Sequence, residues 1–267
     1  MSDRLNKIFS KKIPKTKLVG YFVGCYPTFD SSLDIIKEAI NNGVSILEVG
    51  FATSEASAEG KIIKTAHDHV LNNNNTLKDV IKLVKEIRSY NQDVAIILMG
   101  YIANLYKHPI PKFVKDITEA GADGCLVVDA PHELKEENLL RNELNNQNLS
   151  LIKLVAPTTN EARLKEIVKI SSGFLYQVNL SGVTGEKSAN KGDVGNLIKK
   201  IRSITDLPVC SGFGIKTPKD AKGIAKTGCD AVVVGSTFVK YIQDNIDDKQ
   251  LPQSVGKLIK NFTNELN

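Results

Sequence analysis

Glu48 stands in the run Ile46-Leu47-Glu48-Val49-Gly50, an acid inside an otherwise apolar stretch. A carboxyl group stripped of water favours its neutral form, which raises its pKa toward values useful for proton transfer. A salt-bridged or hydrogen-bonded core acid is the competing reading for such a residue. Glu59 follows in the polar stretch 51–61, where Glu55 is an equal contender. Two carboxylates converging on one cavity would suit a reaction with two proton transfers. Asp129 ends another apolar run just before Pro131; it either positions a catalytic group or caps the next helix.

Three glycine groups carry a second signal: Gly182-Val183-Thr184-Gly185, Gly212-Phe213-Gly214 and Gly235-Ser236 each follow an apolar run. Glycine lets backbone N–H groups approach an anion, and a helix starting after the last group would aim its N-terminus at it. Together they point to a phosphate site. His67 and His69 raise a metal reading, which lacks an evident third ligand. Lys153 interrupts the apolar run 151–155 and raises an imine-forming lysine. Alternation along a strand can instead turn it outward among helices with its amine at the surface.

These residues need a frame. Apolar runs at 18–24, 45–50, 94–99, 125–129, 149–156, 174–180, 209–212 and 231–234 alternate with amphipathic stretches, giving eight strands each followed by a helix. One helix begins near Thr76 as its N-cap, with Leu77, Val80, Ile81, Val84 and Ile87 at the 3.6-residue period. The stretch from Gly50 to Asn75 reads as a polar loop, ending in the low-complexity run 72–75. Continuous Val/Ile/Leu strands imply burial on both faces, as in parallel sheets wrapped by helices. Eight such units in about 250 residues is the arithmetic of a (β/α)8 barrel, whose site lies at the C-terminal ends of its strands. A doubly wound open sheet is the runner-up, but no GxGxxG follows the first strand. No linker composition interrupts the pattern, so residues 1–267 are expected to form one domain.

Composition excludes other classes. With 42% apolar and 24% charged residues, the 267-residue chain is neither disordered nor a disulfide scaffold. The net charge of +5 is spread over many lysine-bearing helices rather than gathered in a stripe, which argues against nucleic-acid binding. Cys25, Cys125, Cys210 and Cys229 lie far apart without CxxC spacing, as expected in a reducing, cytoplasmic setting. Runs such as Ile96-Ile97-Leu98-Met99 are far short of a membrane span. The first 17 residues are polar and basic without the apolar core of a signal peptide. A soluble protein is expected.

The residues Leu47-Glu48-Val49-Gly50, Tyr101 with Asn104, Asp129-Ala130-Pro131, Tyr176, Gly182-Val183-Thr184-Gly185, Gly212-Phe213-Gly214-Ile215 and Gly235-Ser236 stand in one order along the chain. In that set the sequence resembles the tryptophan synthase alpha subunit family from about Leu18 to Ile242. The resemblance implies a barrel that cleaves indole-3-glycerol phosphate to indole and glyceraldehyde 3-phosphate. It implies no cofactor in this chain, and a beta partner with pyridoxal phosphate in an assembly of two alpha and two beta chains. By position, Glu48 matches the family acid that protonates the indole ring carbon, and Glu59 falls where the family has an aspartate near the indole nitrogen. Tyr101, Asp129, Tyr176 and Thr184 match substrate-contacting positions; Gly185, Gly214, Gly235 and Ser236 match the phosphate clamp.

The chain departs from the family in one loop. The family loop reads like PFSDPxADGP, whereas this chain has Ala52-Thr53-Ser54-Glu55-Ala56-Ser57-Ala58-Glu59-Gly60-Lys61. The prolines are gone and both aspartates are glutamates, which implies a looser segment and a displaced second carboxylate. That loop also meets the beta partner in the family. Two further readings follow: a barrel that binds a phosphorylated ligand or activates a partner with weak turnover, and a related lyase on another phosphorylated substrate.

Overall fold

The structure, a computed structural model, describes residues 2–10, 15–131, 133–178, 191–212 and 214–266. Parallel strands β1 (Lys17–Val23), β2 (Ile46–Gly50), β3 (Ala95–Gly100), β4 (Gly124–Val127), β5 (Ser150–Leu151), β6 (Lys153–Val155), β7 (Leu175–Gln177), β8 (Val209–Ser211) and β9 (Ala231–Val234) form one sheet in the order β5-β4-β3-β2-β1-β9-β8-β7-β6. β5 pairs with β4 and β6 pairs with β7. Ile152, which separates β5 from β6, donates its N–H to the Cys125 carbonyl at 3.0 Å. Residues 150–155 are therefore one barrel strand with a local break, and through it the sheet closes on itself. The fold is a (β/α)8 barrel.

The helices are α1 (Asp3–Ile8), α2 (Phe29–Asn41), α3 (Lys61–Asn72), α4 (Leu77–Tyr90), α5 (Ile102–Lys107), α6 (Ile110–Glu119), α7 (Lys135–Asn146), α8 (Glu161–Ile170), α9 (Lys191–Arg202), α10 (Pro218–Ala225), α11 (Ser236–Asp244) and α12 (Leu251–Leu266). Thr76 caps α4 in a reciprocal box with Asp79, satisfying N–H groups that the first turn leaves open. The polar loop expected up to Asn75 is instead largely helix: α3 fills residues 61–72, burying Ile63, Ala66, His67 and Val70 along one stripe. Polar residues on its other face mask that period. Only the tail of the low-complexity run is a turn, with Asn74 left-handed at φ 56°.

The barrel interior holds Val19, Ile46, Ala95, Ile97, Leu126, Ile152, Phe174, Cys210, Ala231 and Val233. Leu5, with Ile8 and Phe9 beside it, joins the same cluster, so the N-terminal segment closes the end of the barrel where the strands begin. A larger apolar layer lies between the strands and helices and includes Phe22, Leu47, Leu98, Val127 and Val232. Strand neighbours thus alternate inward and outward, the rule that decides where each charged residue points.

Candidate active site

Glu48 is in register with Tyr21 on β1 and Ile97 on β3. Ile97 belongs to the interior cluster, and parallel register neighbours share a face, so Glu48 points into the barrel. It is 0% exposed, and neither carboxylate oxygen has a hydrogen-bond partner among the described residues. Desolvation, reinforced by the charge of Glu59, pushes its pKa from the ordinary 4.5 up to about 8. At neutral pH this is a proton-loaded acid in a dry wall. The salt-bridged reading of Glu48 finds no partner among the described residues.

The two acids of loop 51–60 separate cleanly. Glu55 is exposed, whereas Glu59 is 4% exposed and accepts a hydrogen bond from Tyr101 Oη at 3.4 Å. Tyr101 is buried at the start of α5, its phenol held protonated by burial and by Glu59. Asn104 ties the loop down by donating from Nδ2 to the Ala52 carbonyl at 2.9 Å. Asp129 does not cap the helix that follows it; its Oδ1 accepts the N–H of Ile102, first residue of α5, at 2.7 Å. It braces the segment that carries Tyr101.

Tyr176 and Tyr21 line the same end of the interior. Burial raises the Tyr176 pKa well above its usual value, with Glu48 and then Glu59 adding to the effect. Burial does the same for Tyr21, followed by Glu59, Tyr101 and Glu48. Each phenol therefore stays neutral and can donate a proton in a hydrogen bond. Tyr21 comes so close to β2 that a Cβ on Gly50 would lie 2.5 Å from its hydroxyl oxygen, so any side chain there would push the Tyr21 ring aside.

At the ends of β8 and β9, Gly214 adopts φ 62°, a left-handed conformation that glycine takes without strain. Gly235 is the N-cap residue of α11 and has no side chain with which to cap it, so the first-turn N–H groups of Ser236 and Thr237 lack the usual N-cap acceptor. Thr237 Oγ1 donates to the Ile215 carbonyl at 2.6 Å, which holds the loop after β8 against the start of α11. Thr184 and Gly185 lie outside the described residues.

Lys153 points outward. Its Nζ bonds to the Ala130 carbonyl at 2.8 Å and to Glu137 on α7 at 3.4 Å, and the side chain is buried rather than carrying its amine to the surface. An imine at Lys153 has no access to the interior. His67 and His69 both lie on α3 but use different partners: His67 meets Tyr21 Oη at 3.3 Å, His69 the Pro27 carbonyl at 2.9 Å. Among the described residues no three His, Cys, Asp or Glu side chains are grouped to hold a metal, and no helix is long and apolar enough to cross a membrane. Tyr21 is the neighbour of Glu48 that sequence reasoning missed, and His67 was singled out there only as a metal ligand. The signal was present in Tyr21, a polar-tipped residue one strand over from Glu48.

The family model described as tryptophan synthase alpha chain matches residues 9–266. A tryptophan synthase alpha chain from Desulfatibacillum aliphaticivorans is 36% identical over 234 residues, covering 88% of this chain and 87% of its own. Among solved structures, tryptophan synthase subunit alpha from Legionella pneumophila superposes with a TM-score of 0.91 at 27% identity, covering 100% of this chain and 99% of its own. A structure from Aquifex aeolicus gives 0.90 at 30% identity, covering 100% of both chains. The chain belongs to the tryptophan synthase alpha chain family, the lyases that cleave indole-3-glycerol phosphate to indole and glyceraldehyde 3-phosphate and that work with a beta subunit.

Proposed function

We propose that Glu48 is the acid and Glu59 the charge-stabilising group of this cleavage. Glu48, protonated at neutral pH, gives its proton to the indole ring carbon that bears the glycerol chain. The ring becomes a cation whose charge rests largely on the nitrogen, where Glu59, steadied by Tyr101, accepts the N–H. The glycerol hydroxyl next to the ring then loses its proton to the Glu48 carboxylate left by the first step. The carbon–carbon bond breaks, its electrons return to the ring, and indole and an aldehyde separate. One proton enters at carbon and one leaves from oxygen, so neither a metal nor an imine is required.

The observation that carries this reading is the inward-facing Glu48 carboxyl, unpartnered among the described residues, with its pKa pushed up to about 8. Desolvating an acid without a partner costs stability, a cost characteristic of functional sites. Tyr176 is proposed to border the indole, with Asp129 bracing the wall behind Tyr101. Gly214, Gly235 and Ser236 would grip the phosphate through backbone N–H groups and the dipole of α11, with Thr184 and Gly185 completing the clamp. The chain itself needs no cofactor in this scheme; pyridoxal phosphate belongs to a beta partner that joins the released indole to serine. A docked assembly of two alpha and two beta chains and a cytoplasmic location complete the proposal.

Incubation of the purified chain with indole-3-glycerol phosphate, with and without a beta subunit, tests it. Indole should appear in both and faster with the partner; simple sugar phosphates should bind without reaction. No indole at high protein concentration in either arm would overturn the reading.

A further inference from the structure

His67 joins two parts of the site that the cleavage chemistry leaves unconnected. It sits on α3 at 2% exposure, and its Nδ1 lies 3.4 Å from both the backbone nitrogen and the carbonyl oxygen of Thr53, inside loop 51–60. Its Nε2 lies 3.3 Å from Tyr21 Oη. Tyr21 is the register neighbour of Glu48, and its hydroxyl packs over Gly50, where the loop begins. A neutral imidazole can serve both contacts in either tautomer. It donates from Nδ1 to the Thr53 carbonyl while accepting the tyrosine proton, or accepts the Thr53 N–H while donating to Tyr21 Oη. Burial, the largest influence on His67, favours that neutral form.

The loop needs such a tether because it contains no proline between Phe51 and Gly60. With an unrestricted backbone, its conformation depends on side chains reaching in from outside. Asn104 holds Ala52, Tyr101 reaches Glu59, and His67 holds Thr53 between them. His67 differs from the other two in also gripping a side chain beside Glu48.

We propose that His67 and Tyr21 act as a positioning pair for the cleavage: His67 fixes the loop that carries Glu59, and through Tyr21 sets that loop against the strand that carries Glu48. The inference rests on the assignment of Glu48 and Glu59 to the reaction. It gives Tyr21 and His67 a coupled effect on turnover rather than two separate effects on folding.

The test combines steady-state indole release with amide hydrogen exchange of residues 53–59 in the full chain, for Tyr21→Phe, His67→Leu, His67→Gln and the Tyr21→Phe/His67→Leu double variant. Each of Tyr21→Phe and His67→Leu should lower kcat about 10-fold and change KM for indole-3-glycerol phosphate by less than about 3-fold. The double variant should fall no more than about 3-fold below the worse single one, as expected for two halves of one device. Exchange in the loop should quicken in His67→Leu, and His67→Gln, which keeps a donor and an acceptor, should recover part of both losses. Multiplicative losses in the double variant, unchanged kcat in the single ones, or loop exchange equal to that of the unaltered chain would each overturn the pairing. The exchange arm needs no turnover. If the unaltered chain released no indole, the assignment of the carboxylates would fail while the tether was still decided.

Discussion

A carboxyl buried without a partner among the described residues, as Glu48 is, makes stability depend on pH in a direction opposite to that of most acids. In the unfolded chain Glu48 titrates near its ordinary 4.5, whereas in the folded chain it titrates near 8. Between those values the folded state holds a proton that the unfolded state has lost, so stability falls as pH rises through the window and levels off above it. The contribution is on the order of a few kcal/mol. Glu48→Gln, permanently neutral, should therefore be more stable than the unaltered chain at pH 8 and closer to it at pH 5, as read from urea unfolding at the two pH values. A variant no more stable at pH 8 than at pH 5, relative to the parent, would mean that Glu48 is solvated or paired. At this scale the sequence was informative where chemistry and pattern conflict: an acid in an apolar strand announces itself. Residue type alone did not separate Glu59 from Glu55, which only the family resemblance did, because burial within an irregular loop depends on Tyr101 and Asn104 arriving from another βα unit. The hydroxyl of Tyr101 donates to the buried carboxyl of Glu59 at 3.4 Å, long for an O–H···O bond, so its effect is on where Glu59 is placed. Tyr101→Phe should accordingly lower kcat about 10-fold while leaving the aromatic packing intact, measured by indole release beside a melting curve.

Among the elements, α11 and loop 51–60 are the ones on which the proposed phosphate grip and second carboxylate depend. The start of α11 is glycine-capped and held against the loop after β8 by Thr237, so a negative group placed there competes with a phosphate for the same N–H donors. Gly235→Asp should raise KM for indole-3-glycerol phosphate at least about 10-fold with a smaller change in kcat, the pattern of lost ground-state binding. A kcat loss with KM unchanged would move the phosphate elsewhere. The strands were legible because they lie in short apolar runs, most of them rich in Val, Ile or Leu, and Thr76 announced α4 as its N-cap, to which the structure adds the reciprocal bond with Asp79. Three helices were harder to read. α1 is six residues with only Leu5 and Ile8 apolar, α5 is equally short, and α3 dilutes its stripe of Ile63, Ala66 and Val70 with Lys, His, Asp and Asn. The break of the fifth barrel strand at Ile152 has no local sequence signal; it arises where one strand must pair with β4 on one side and β7 on the other.

Closure of the barrel at the molecular scale brings Glu48 from the second strand and the start of α11 after the last to one end of a common interior. At the other end, Leu5 is fully buried beneath the strands, in the cluster that includes Phe174. Leu5→Ala should cost about 2–5 kcal/mol of unfolding free energy, read by chemical denaturation, with kcat nearly unchanged because the plug lies opposite the site. A loss below about 0.5 kcal/mol would show that the N-terminal helix does not close the barrel. The eight-unit rhythm was the most legible feature of the chain, since every strand had to read as buried on both faces for the sheet to close. The central claim is that one inward-facing carboxyl supplies the proton that frees indole. Its most direct measurement is indole release by the unaltered chain and by Glu48→Gln across pH 6 to 10. The expected result is a rate that falls along an alkaline limb near pH 8 in the unaltered chain and a drop of at least about 100-fold in the variant. A Glu48→Gln chain that keeps a tenth or more of the rate would contradict the account.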